Sequence, residues 1–220
     1  MLRRELITDE TTIVVLGKFN PAIFHPAWFA RYKLARDNEM LEAKVRYVDN
    51  NLMQFSVDWF QLRVTGNQFF ISSTDPSNFL ALRDLVRGTF ELLLHTPMHE
   101  LGFNRVHKYR FESEDEWHSL GHTLAPKDRW NLFMQDTGLR VMQIEGKRED
   151  SLAEKVFVKL GTAETSTVFV HTNYHYRLEN PEGESTTKLS FLLANEWDPF
   201  LLNTSKIPDQ IIDDGQTNVG

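Results

Sequence analysis

Apolar and polar positions follow the clearest pattern between residues 51 and 111. Phe55, Val57, Trp59, Gln61 and Arg63 fall on one face of an extended chain, with Ser56, Asp58, Phe60, Leu62 and Val64 on the other, because successive side chains of a strand point to opposite sides. Thr65-Gly66-Asn67 is turn chemistry, and Phe69-Phe70-Ile71 returns as a second strand. Asp75 is a good N-cap and Pro76 suits a first helical position. Phe79, Leu82, Leu85, Val86, Thr89, Phe90 and Leu93 then recur at helical spacing. The spacing predicts an amphipathic helix over 76–94, stopped ahead of Pro97. Gly102 turns the chain into a strand over 103–111.

The flanking chain reads in the same terms. β-branched content predicts a strand over 11–19, broken by Asn20-Pro21 and His25-Pro26. A helix over 26–38 and a short strand over 43–48 follow, with a turn at 49–51. Ser113 with Glu116 forms a capping box for a short helix to about residue 120. A second short helix is predicted over 125–135, between Pro126 and Gly138. Strands are predicted over 139–146, 156–160 and 166–179, and a loop over 180–183. Leu189, Leu192, Leu193, Trp197, Phe200 and Leu201 restore the helical period from residue 185 or 186 to about 203. The fold class is α+β: two similar units of mainly antiparallel sheet, each with a long amphipathic helix. The units are residues 1–111 and 112–203, sharing or pairing their sheet, with 204–220 as a C-terminal tail whose last seven residues are expected to be mobile. Sequence identity between the halves is too low to demonstrate a repeat.

Composition narrows the function classes. The 220 residues are 41% hydrophobic and include 16 Phe and 5 Trp, which marks a folded chain with a core. Cysteine is absent, so disulfides, thiolate catalysis and cysteine-ligated zinc are excluded; a cytoplasmic location is expected. No apolar signal-peptide core develops after Arg3-Arg4, and no apolar run is long enough to span a bilayer. The formal charge is -7, from 24 basic and 31 acidic residues, which disfavours general polyanion binding because phosphate contacts supply most non-specific affinity.

Eight histidines raise the question of a metal. His95 and His99 are separated by Pro97 and lack the glutamate that follows the first histidine of a zincin helix. His118 and His122 are four apart, but Gly121 intervenes and no third ligand has diagnostic spacing. His171, Asn173, His175, Arg177 and Glu179 share one face of a strand, with Val170, Thr172, Tyr174, Tyr176 and Leu178 on the other. Residues four apart in a strand lie roughly 13 Å apart, too far for one ion to bridge both histidines; the stripe could instead line a polar groove. The segment 104–111 (NRVHKYRF) mixes basic and aromatic residues, the ingredients of single-strand nucleic-acid binding. There Arg105, His107, Tyr109 and Phe111 share one face, and Val106, Lys108 and Arg110 the other. Phosphate-loop, dinucleotide-binding and nucleophile-elbow motifs are absent.

The run from Phe55 to Asn104, with Ser56-Val57-Asp58, the predicted helix and the Leu101-Gly102-Phe103-Asn104 turn, resembles a sporadically distributed bacterial protein family of about 220–260 residues without an assigned function. The strand at Tyr174–Leu178 followed by a Leu-rich helix is similar too. The resemblance implies a bacterial, cytosolic protein with no known catalytic residues, and an association with mobile or defence gene clusters. The expectation is therefore a non-catalytic protein-interaction module, an accessory or regulatory subunit, with no catalytic residue, cofactor or metal site. Its polar groove would be His171, Asn173, His175 and Arg177, and its partner surface Trp197, Phe200 and Leu201. The alternative is a metal-dependent hydrolase or nuclease using a His-lined groove.

Overall fold

The structure, a computed structural model, describes residues 3–48, 51–178 and 185–213. The predicted loop at 180–183 and residues 214–220 of the predicted tail lie outside the described residues, as do residues 49–50 of the predicted turn. The elements in chain order are β1 (Arg4–Gly17), a 3-10 turn (Pro21–Phe24), α1 (Pro26–Arg31), α2 (Asp37–Leu41), β2 (Lys44–Val48), β3 (Leu52–Ser56), β4 (Gln61–Thr65) and β5 (Gln68–Ser73). A second 3-10 turn (Pro76–Asn78) leads into α3 (Phe79–Leu92), β6 (Met98–Phe111), α4 (Glu114–Leu124), β7 (Val141–Gly146), β8 (Lys155–Glu164), β9 (Thr167–Arg177), α5 (Ser185–Asn195) and α6 (Trp197–Asp213).

The fold is α+β, with one large antiparallel sheet in the order β2-β3-β4-β5-β1-β6-β9-β8-β7. The two longest strands, β1 and β6, pair with each other at its middle. Directly opposed residues of an antiparallel pair lie on the same side of the sheet. Phe55, Leu62, Ile71, Ile13, Phe103, Tyr174 and Val156 are linked by register into one row across the strands, and all are buried. The helices cover this side. The α3 stripe of Phe79, Leu82, Leu85, Val86, Thr89 and Phe90 is buried as its spacing predicts, with the Asp75 carboxylate accepting from the Ser77 N–H at 2.9 Å to start the turn. Edge-to-face and tilted ring pairs fill the space between layers, Phe69 with Phe90 at 5.1 Å and Phe103 with Trp197 at 5.0 Å among them.

Several local readings change. The helix predicted over 26–38 is two short helices, α1 and α2, parted where Lys33 takes a positive φ of 58°, and the strand predicted from residue 103 starts at Met98 and runs through Gly102 without turning there. The strand predicted through 55–64 is a hairpin, because Val57–Phe60 closes a turn (Val57 N–H to Phe60 O, 3.0 Å). The turn flips the alternation, so Phe55 and Phe60 both reach the core. The strand predicted at 11–19 begins at Arg4, its polar first half held by pairing to β6. No helix forms over 125–135, where the chain runs in turns. The C-terminal helix divides at Glu196, whose carboxylate accepts from Ser151 Oγ at 2.6 Å and Leu152 N–H at 3.0 Å. Its second half continues past residue 203 to Asp213 instead of fraying into a tail. Ile212 is fully buried there, and Arg4 clamps the end through Asp213 and Asp209, each at 2.6 Å. Among the described residues no helix is long and apolar enough to cross a membrane.

β1 ends under the loop before β6, where Lys18 N–H donates to Pro97 O at 2.8 Å. A Cβ on Gly17 would sit 2.4 Å from that carbonyl oxygen. Backbone cannot yield as a side-chain tip can. Gly17→Ala is expected to cost about 1–3 kcal/mol, read as a lower urea midpoint at unchanged m-value. A neutral result would show that this crossing relaxes freely.

Candidate functional site

A second row crosses all the strands one residue out of phase with the core: Lys44, Ser56, Gln61, Ser72, Thr12, Asn104, Asn173, Phe157 and Glu145. This is the side of the sheet away from the helices. His171, Asn173, His175 and Arg177 all project from β9 on it, the first three half-buried and Arg177 exposed. Asn104 Oδ1 accepts from Asn173 Nδ2 at 2.8 Å and meets His171 Nε2 at 3.0 Å. With an amide oxygen as acceptor, that ring nitrogen carries the proton. Burial, followed by the nearby Lys159 ammonium, lowers the His171 pKa, so the ring is held neutral. His175 lies opposite Gly102 and Lys155, and Arg177 reaches Glu154 at 3.7 Å. The residues share a broad sheet face with their neighbours.

The same face carries groups that single-strand periodicity does not bring together. The Arg63 guanidinium lies over the Phe70 ring at 5.3 Å, and Lys159 Nζ over the Phe169 ring at 5.8 Å. Lys108 is paired in register with Phe169. Phe169 lies across Gly161, where a Cβ would approach its ring to 2.8 Å. Strict alternation in β6 and β9 signals two unlike faces; register across the strands is what assembles them.

The segment 104–111 divides differently from a surface strand. Arg105, His107, Tyr109 and Phe111 face the core at 9% exposure or less, so those aromatic rings are not open for stacking; Val106, Lys108 and Arg110 face outward. Arg105 forms a bidentate pair with Asp9 at 2.9 and 2.8 Å and donates to Leu201 O at 2.7 Å and Thr204 Oγ1 at 3.3 Å. His107 Nε2 is 3.5 Å from Asp9. Burial lowers its pKa to about 4 against the pull of Asp9, with Arg105 assisting. The arrangement fastens α6 to the sheet.

Trp197 and Phe200 are not a partner surface. Both are fully buried; the Trp197 indole donates to Phe79 O at 3.1 Å, and Phe200 packs on Phe103 and Tyr174. Leu201 is half-buried. Helical spacing identified these as one apolar face, and the chain's own sheet covers it. A run of large exposed apolar side chains lies elsewhere: Leu132 and Phe133 are 80% and 81% exposed, and Trp130 and Met134 stand out beside them. They precede β7, which among the described residues pairs with β8 alone and has no strand on its outer edge. Behind them, Trp117, Leu120, Leu139, Leu160 and Val168 help to line a cleft of about 430 Å³.

His118 and His122 line a shallow depression on α4 with Asp115. Both are exposed. Among the described residues no three His, Asp or Glu side chains are grouped to hold a metal ion. No protein-family model matches the chain, and no curated protein matches it significantly.

Proposed function

We propose that the protein is a non-catalytic protein-interaction module, an accessory or regulatory subunit working in the cytoplasm, and that its partner docks at the β7 edge. The observation that carries this reading is the exposure of Trp130, Leu132, Phe133 and Met134 beside a strand edge that is unpaired among the described residues. Contiguous large apolar side chains are seldom left in water, and an open edge offers backbone donors and acceptors to an added strand. Val141 and Ile144, on opposite faces of β7, are themselves 51% and 60% exposed. A role beside mobile or defence genes is proposed with it, on the resemblance alone. We propose further that the chain comprises two similar units, with the boundary placed before β6 rather than after residue 111, so that they run β1 to α3 and β6 to α6. The strand order supports this: the first strand of each unit sits at the centre, flanked by the last strand of its own unit.

A photo-crosslinking residue at Phe133, used in the native host, is expected to trap a protein that then binds the purified chain. The double variant Leu132→Asp/Phe133→Asp should lose that binding while its own stability stays within about 0.5 kcal/mol, as for other exposed sites. Retained binding in the variant, or no trapped protein, would remove the edge as the docking site.

A further inference from the structure

We propose that the helix-free face of the sheet binds single-stranded nucleic acid. The proposal stands apart from docking at the β7 edge. Charge is the first argument. The chain is acidic overall, yet Arg63, Lys108, Arg110 and Lys159 project from the strands on this one side. Among the described residues none of these four has a carboxylate within ion-pair distance. Glu5, Glu10, Glu100, Glu145 and Glu164 share the face, with Glu5 opposite Arg110 in register; Glu145 is taken by Lys155 at 2.9 Å. An acidic protein that concentrates free cations on one face presents a local field for a polyanion.

Ring chemistry is the second argument and selects a single strand. Phe70 and Phe169 are half-buried on this face with a cation against each ring. Unstacked bases bind to such platforms, whereas bases within a duplex are unavailable to them. Between the two lie Val14 and Gly102, in register with Phe70, and the Asn104–Asn173–His171 group. The Asn173 and Asn104 amides lie over Gly102, and with the neutral imidazole they offer hydrogen bonds without charge.

The test uses the whole chain and three fluorescein-labelled probes of about twenty nucleotides: oligo-dT, oligo-U and a DNA duplex. Anisotropy should show binding to one or both single strands, and these two arms distinguish DNA from RNA. Four phosphate contacts predict an affinity loss of about 50-fold between roughly 50 and 200 mM salt. Lys108→Ala/Lys159→Ala should weaken binding and flatten that dependence. Phe70→Leu should weaken it about 5-fold or more at unchanged salt slope. Glu10→Lys should tighten it, a gain that misfolding cannot imitate. The proposal is overturned by no anisotropy change with either single strand at low salt, by equal binding of the duplex with Phe70→Leu neutral, or by a lysine pair and Glu10→Lys without effect. A protein trapped on this face in place of the oligonucleotides would overturn it equally.

Discussion

Trp197→Ala is expected to lower the unfolding free energy by about 3–5 kcal/mol, among the larger losses a single truncation produces. The indole is fully buried where α6 begins. It touches Phe103 at 5.0 Å and Phe200 at 5.6 Å between ring centres, and its N–H is satisfied by Phe79 O at the start of α3. One side chain therefore joins α3, α6 and the central strand β6. Truncation leaves a cavity whose walls belong to separate elements, which limits collapse. Trp197→Phe should lose less, because most of the volume remains. Urea unfolding followed by circular dichroism checks both. A loss below about 1 kcal/mol for the alanine variant would contradict the burial and reopen Trp197 as a surface group.

Helical periodicity was the most legible signal. Phe79 to Phe90 and Leu189 to Phe200 each announce a stripe, and both stripes are buried. What periodicity does not say is against what. A stripe that looks free in sequence is covered when a distant strand supplies Phe103 and Tyr174, which is how Trp197 and Phe200 came to resemble a docking surface. Alternation has the same limit. It separates His171, Asn173 and His175 from Thr172, Tyr174 and Tyr176, but the partners Asn104, Lys108 and Lys159 come from strands far away in sequence.

Other features were obscured by local chemistry. The segment RELITDE at the start of β1 has too many polar residues to read as a strand; tertiary pairing outweighs its propensity. Val57-Asp58-Trp59-Phe60 has apolar content enough for a strand yet closes a turn. Pro126 and Gly138 mark plausible helix ends, but residues 128–136 are exposed, and an isolated short helix without a packing surface is marginal in water. Pro208 lies inside the last helix. There Ile212 and the Arg4 clamp hold the turn beyond it.

The second large effect belongs to the charge cluster beneath α6, and it depends on pH. Arg105→Ala is expected to cost about 3–5 kcal/mol near neutral pH, because it leaves the Asp9 carboxylate buried without its bidentate partner. Besides Arg105, the groups facing His107 are Asp9, Asp209 and Tyr109. Burial holds the imidazole neutral, with a pKa of about 4 in the folded protein. An unfolded histidine titrates near 6.5. Between those values the unfolded state binds the extra proton, so acidification favours unfolding. The stabilisation is complete above about pH 6.5 and is lost as pH falls towards about 4, a difference of about 3 kcal/mol at most. His107→Gln removes the titration, so the stability gap between it and the parent should change across that window. Removing the Arg105 charge takes away a repulsion and leaves Asp9 to attract the imidazolium. In Arg105→Ala the His107 pKa should therefore rise, and the acid dependence should shrink. Urea melts at several pH values and an NMR titration of the His107 ring check these expectations. A gap between parent and His107→Gln that stays constant from pH 7 to 4, or a His107 pKa unmoved by Arg105→Ala, would show that the cluster does not govern stability in acid.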